Sequence, residues 1–146
     1  MDNIETATTI LEVLLSKLSI ENTITYDKTQ KSLNIESPDH ALLIGKKGEN
    51  LRALQHILNV LVKRQDADLE WCVIDVAGYK KERLAKLQTI AEAVAAEVIR
   101  SGRSKHLPAM NSFERMQIHT FLSENPEILT ESEGQEPNRT IVVKKR

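Results

Sequence analysis

The chain has 146 residues, 40% of them apolar and 28% charged. That is the balance of a soluble globular protein built as one domain or two small ones. No apolar run reaches the roughly 18 residues of a membrane span, so no membrane insertion is expected. The single Cys72 excludes an internal disulfide, a multi-cysteine zinc site and a redox pair.

The opening Met1-Asp2-Asn3-Ile4-Glu5 is acidic and lacks the basic start of a secretory signal, so the expected location is cytoplasmic. The formal net charge is −1 but unevenly spread. Residues 1–78 carry 8 Lys/Arg against 12 Asp/Glu (net −4), and residues 79–146 carry 12 against 9 (net +3). Any anion site is therefore local rather than the product of a global basic field. An aromatic content of 3% argues against a platform of several stacking rings.

Ala7, Leu11, Leu14, Leu15 and Leu18 recur at helical spacing and predict an amphipathic helix over about residues 3–18. Ile24 and Tyr26, then Leu33 and Ile35, alternate as two short strands joined by the loop Asp27-Lys28-Thr29-Gln30. Ser37-Pro38-Asp39 ends the second strand, and a short apolar turn, Ala41-Leu42-Leu43-Ile44, leads into Gly45-Lys46-Lys47-Gly48. A second helical stripe follows through Leu51, Leu54, Leu58, Leu61 and Val62. Trp71-Cys72-Val73-Ile74-Asp75-Val76 reads as a central strand closed by Gly78, with Trp71 and Cys72 packing against opposite layers.

The second half begins with a long helix over 80–101, marked by Leu84, Leu87, Ala91, Val94, Ala95 and Val98 and ended by Gly102. Lys105-His106-Leu107 is a short strand halted by Pro108. Asn111 and Glu114 resemble a capping box for a helix running to about Ser123, stopped at Asn125-Pro126. Ile128-Leu129-Thr130 and Ile141-Val142-Val143 form a closing pair of strands, with Gly134 and Pro137 in the loop between them.

Two constellations could carry chemistry. In Gly45-Lys46-Lys47-Gly48 the glycines permit a sharp turn and a close backbone approach, and the next helix presents unpaired amides and a positive dipole end. Lys46 and Lys47 add two mobile cations, so the segment reads either as a grip on a phosphodiester backbone or as a plain tight turn. It is not a P-loop, because the Gly-Lys-Ser/Thr ending and the preceding strand are missing. In the second constellation, Arg115 and His119 lie one turn apart on the border of an arc formed by Ile118, Phe121 and Leu122. They read either as an anion site or as a solvated helix pair. His40, His56 and His106 are dispersed and share no metal-ligand spacing, so no metal and no cofactor is expected.

The element order around Leu42-Leu43-Ile44-Gly45-Lys46-Lys47-Gly48-Glu49-Asn50-Leu51 resembles a KH domain of the type II arrangement. In that family the Gly-x-x-Gly loop clamps about four nucleotides of a single strand. The resemblance implies phosphate contacts at Gly45, Lys46, Lys47 and Gly48. It offers Ile44, Leu51 and Leu54 as groove wall, although apolar residues on this helix also serve the core. Asn111-Ser112-Phe113-Glu114-Arg115-x-x-x-His119, followed by Gly134-x-Glu136-Pro137-Asn138-Arg139, is similar to an R-three-H domain. That implies nucleic-acid contacts at Arg115 and His119, with Arg139 a further candidate or a surface cation. Lys80 and Lys81 could extend a phosphate track or belong to a solvated face.

The two modules in this order resemble the bacterial Jag/KhpB family. The resemblance implies an α+β chain of two small modules, a type II-like KH domain over 1–78 and an R-three-H domain over 79–146. Many members of the family carry an additional N-terminal Jag domain, which this chain is expected to lack. The implied function is nonenzymatic: single-stranded RNA binding as an RNA chaperone or post-transcriptional regulator, linked to cell-envelope and cell-shape control, with a small KH-only partner protein. Single-stranded DNA binding and a protein-interaction adaptor are the alternatives. A phosphodiesterase using His119 as base and Arg115 as clamp would need a second acid from Glu114 or Glu131, or a metal.

Overall fold

The computed structural model describes residues 3–146. The chain divides into two compact units, the first reaching Lys80 and the second running Lys81–Arg146. Each has its own hydrophobic core, and both mix helices with a three-stranded sheet, an α+β architecture.

The first unit runs α1 (Asn3–Lys17), β1 (Thr23–Asp27), β2 (Ser32–Glu36), α2 (His40–Ile44), a 3-10 turn (Lys46–Gly48), α3 (Glu49–Gln65) and β3 (Val73–Val76). The helical stripe of α1 buries Ala7, Leu11 and Leu15. The hairpin pairs Ile24 with Ile35 and Tyr26 with Leu33, so the two alternating apolar sets share one face. The Asp27 carboxylate closes the loop by accepting from the amides of Thr29 and Gln30. Leu51, Leu54, Leu58 and Val62 of α3 complete the core with Leu33, Ile35, Ile74 and Val76 of the sheet.

The sheet corrects one expectation. The strand order is β1-β2-β3, so β2 is central and β3 lies at the edge, parallel to β2. The apolar run that suggested a central strand has another cause. Its outward backbone groups are met by α3 rather than by a fourth strand. The Gln55 side chain accepts from the Ile74 amide at 2.7 Å and donates to the Cys72 carbonyl. Asn59 accepts from the Cys72 amide at 2.8 Å and donates to the Cys72 carbonyl at 2.9 Å. Two amide side chains thus stand in for a neighbouring strand and close an edge that could otherwise pair with another chain. Cys72 is buried as expected, and burial pushes its thiol pKa up. Trp71 does not join the core: it is 59% exposed.

The second unit contains most of α4 (Tyr79–Ser101), then β4 (Lys105–His106), α5 (Ser112–Ser123), β5 (Ile128–Glu133) and β6 (Thr140–Lys145). Gly102 ends α4 with a left-handed φ of 72°, its amide donating to Val98 at 2.8 Å. The sheet is antiparallel in the order β4-β6-β5. Ile141 and Val143 of β6 meet Leu87, Ala91, Ala95 and Val98 of α4 and Ile118 and Leu122 of α5. The capping box at the start of α5 is complete. Asn111 accepts from the Glu114 amide at 2.9 Å, and Glu114 accepts from the Asn111 amide at 3.0 Å. Glu114 also holds Arg83 of α4 at 3.2 Å.

No described helix is long and apolar enough to cross a membrane. Among the described residues, no group of three or more His, Cys, Asp or Glu side chains could hold a metal ion.

Candidate nucleic-acid interface

The site in the first unit is the turn between α2 and α3. Gly45 has φ 70° and ψ −175°, a conformation that is essentially glycine's alone. Gly48 follows in the left-handed region at φ 76° and ψ 17°. Both also lack room for a side chain. A Cβ on Gly45 would stand 2.7 Å from Asn50 Cγ, and one on Gly48 would stand 2.9 Å from the Tyr79 ring.

Between the glycines, Lys47 is itself left-handed at φ 54°. That geometry costs a non-glycine residue about 1–2 kcal/mol, so neighbouring contacts must impose it. Two hydrogen bonds brace the turn. Arg52 donates to the Lys47 carbonyl at 2.8 Å, and Asn50 donates to the Leu42 carbonyl at 2.8 Å. With its carbonyl tied back, Lys47 projects into solvent, as does Lys46. No side chain caps the start of α3 at Gly48, where the Gly48 and Glu49 amides donate instead to the Gly45 and Lys46 carbonyls.

The weaker candidates separate by burial. Leu51 and Leu54 are 3% and 8% exposed and belong to the core, whereas Ile44 is half-buried at its margin. Lys80 is exposed, and its amide donates to the buried Asp75 carboxylate at 3.3 Å, which caps the first turn of α4. Lys81 is exposed at the start of the second unit.

The site in the second unit gathers on α5, β5 and the β5–β6 loop. His119 is half-buried, with Nδ1 2.7 Å from Thr130 Oγ1 and Nε2 2.9 Å from Ser132 Oγ. Thr130 and Ser132 are two apart on β5 and so share a face. Burial, and then the positive charge of Arg115, hold the His119 pKa below its ordinary value. The ring is therefore neutral at pH 7, one nitrogen donating and the other accepting.

Arg115 lies deeper than its expected border position. Its side chain is 9% exposed, donating to the Met110 carbonyl at 2.5 Å and to Glu136 Oε1 at 2.6 Å. Arg139 donates to the Gly134 carbonyl at 2.7 Å, closing the loop that carries Glu136. Its own carbonyl accepts from the Met110 amide at 3.4 Å. Arg115, His119 and Arg139 are thus brought onto one framework around Met110, Ser132 and the loop.

Sequence reasoning missed Asn50, Arg52 and Tyr79 around the first site, and Thr130, Ser132 and Glu136 around the second. Thr130 falls at the end of the predicted strand Ile128-Leu129-Thr130, which the structure extends to Glu133 and so past Ser132. The acids that hydrolytic chemistry would have required are committed elsewhere: Glu114 to the helix cap and Arg83, Glu131 to Lys144 at 2.9 Å.

Comparison with known families matches residues 4–71 to the KH domain of KhpA and KhpB, and residues 85–145 to the R-three-H domain. The chain belongs to the Jag/KhpB family. Both of the family's matched modules are binding domains rather than enzymes. Its relatives include the RNA-binding protein KhpB of Clostridium symbiosum, 31% identical over 86% of this chain and 58% of that protein. KhpB of Lactiplantibacillus plantarum is 40% identical over 77% of this chain and 35% of its own length. The Bacillus subtilis protein of the same name is 29% identical over 98% of this chain and 71% of its own. The chain thus spans between about a third and three fifths of the first two relatives.

Proposed function

We propose that the chain binds single-stranded RNA through two anion sites, one on each unit. Gly45, Lys46, Lys47 and Gly48 clamp the phosphodiester backbone. Arg115, His119 and Arg139 hold a phosphate on the second unit. Ile44 borders the bases at the first site, and Lys80 and Lys81 add positive charge at the start of α4. The observation that carries the reading is the turn at Gly45–Gly48. Two glycines, each in a backbone conformation and a close contact that disfavour a side chain, frame two outward lysines at the start of α3. The relatives' name, RNA-binding protein, supports RNA over DNA as the partner.

Two weak sites on one chain raise affinity through effective concentration, which suits an RNA chaperone or post-transcriptional regulator acting in the cytoplasm on many strands. Resemblance to the family extends the proposal to a KH-only partner protein and to control of cell envelope and cell shape.

The test is a binding titration of an unstructured oligouridylate and the matching oligodeoxyuridylate, with the wild type beside Lys46→Asp/Lys47→Asp. The expected result is tighter binding to RNA than to DNA, abolished by the double reversal. Equal binding to both polymers would make the chain a general single-strand binder. Undiminished binding by a folded double variant would remove the loop from the interface, and no binding by the wild type would favour a protein-interaction adaptor.

A further inference from the structure

The signature arginine of the second unit is already engaged. One guanidinium nitrogen of Arg115 is turned inward to the Met110 carbonyl, and another meets Glu136 at 2.6 Å. The two partners differ in exposure: the Arg115 side chain is 9% exposed and the Glu136 side chain 60%. An anion arriving from solvent therefore meets the carboxylate before it meets the guanidinium.

We propose that Glu136 is a specificity-determining residue: its carboxylate holds the phosphate's place on Arg115, and nucleic acid engages this unit by displacing it. The proposal rests on the reading above that Arg115 contacts phosphate. Displacement is an exchange of anions. The exposed carboxylate returns to water at small cost. The buried guanidinium cannot be left alone, because an unpaired buried charge is strongly unfavourable, so Glu136 leaves only as a phosphate oxygen arrives. The turn need not open for this exchange. Arg139 bonded to the Gly134 carbonyl and the Asn138 amide bonded to the Gln135 carbonyl at 2.8 Å close it without the Glu136 side chain. The carboxylate thereby lowers affinity for every anion and excludes those that bind a guanidinium no better than it does.

The test compares the full chain with Glu136→Gln, Glu133→Gln and Arg115→Gln, reading the Kd for a labelled oligouridylate and the thermal midpoint of each. Glu133 lies on the same hairpin, so its variant controls for the loss of one negative charge. Glu136→Gln is expected to bind about two- to five-fold tighter, the size of one partly exposed ion pair, while its thermal midpoint falls. Opposite movement of affinity and stability is the signature of a competitor, since a purely structural strut would lower both. Glu136→Asp keeps the charge but shortens the reach and is expected to tighten binding by less; it also serves if the glutamine variant does not fold. The proposal is overturned if Glu136→Gln binds RNA equally or more weakly while Arg115→Gln weakens binding, or if Glu133→Gln tightens binding to the same extent. Undiminished RNA binding by folded Arg115→Gln would instead overturn the phosphate reading of Arg115 itself, and the proposal with it.

Discussion

The ring of Tyr79 stands where a side chain on Gly48 would have to go, 2.9 Å from that position. Tyr79 is 31 places away in the chain, at the first residue of α4, and is packed against the core of the first unit. It shapes the Gly45–Gly48 turn from outside the motif. Gly48 is therefore required twice, once by its left-handed φ of 76° and once by the ring.

These two requirements can be separated. Gly48→Ala is expected to destabilise the first unit by about 2–4 kcal/mol, combining the conformational penalty with overpacking. Tyr79→Ala removes the ring, so in that background Gly48→Ala should retain only the conformational part. Chemical denaturation of the two single variants and the double variant would give a coupling of about 1 kcal/mol or more. Additive losses would show that the contact does not constrain the turn.

The edge of β3 gives a second prediction. Asn59 is 1% exposed and bonds both the amide and the carbonyl of Cys72. Asn59→Ala leaves the Cys72 amide without its partner, while Gln55 still donates to the Cys72 carbonyl, and should cost about 1–3 kcal/mol. The Cys72 amide should then exchange with solvent far faster, and the opened edge should promote association at high protein concentration. Unchanged exchange at Cys72 would contradict the role of Asn59 as a substitute strand.

His119 supplies a pH dependence. Its pKa is held below the ordinary value by burial and by Arg115, so the unfolded chain binds the proton more readily than the folded one. Stability from this group is complete above about pH 6.5, the ordinary histidine value, and declines as pH falls through the window beneath it. Nucleic-acid affinity should move the other way, rising in the same acid window as the ring gains charge. Thermal midpoints and binding constants measured from about pH 7.5 down to about pH 5, with His119→Gln as reference, would test both. The variant is expected to lack the wild type's pH dependence in the acid window, whatever constant offset the lost hydrogen bonds impose; a variant whose values change with pH in parallel with the wild type would refute both.

Much of the fold was legible in the sequence because its signals are local. The stripe through Leu51, Leu54, Leu58 and Val62 marked α3, and Asn111 with Glu114 marked the start of α5. Gly102 marked the end of α4. The position of β3 was not legible, since an apolar run looks the same whether a strand or the side chains of Gln55 and Asn59 meet its outer edge. The site divides in the same way. Gly45, Lys46, Lys47 and Gly48 are contiguous and announce themselves. Tyr79, Glu136 and Ser132 reach their places only through tertiary folding, and Arg115 could be assigned to a helix border by periodicity but not to a bond with Glu136, 21 residues away.

The central claim is that the Gly45–Gly48 turn neutralises phosphates. The most direct measurement is the salt dependence of oligouridylate binding by wild type and by Lys46→Gln/Lys47→Gln. Each phosphate contact on a single strand contributes about 0.7 to the slope of log K against log salt concentration, so loss of two contacts should flatten it by about 1.4. A slope reduced by that amount is the predicted result. A folded double variant with the wild-type slope would contradict the claim.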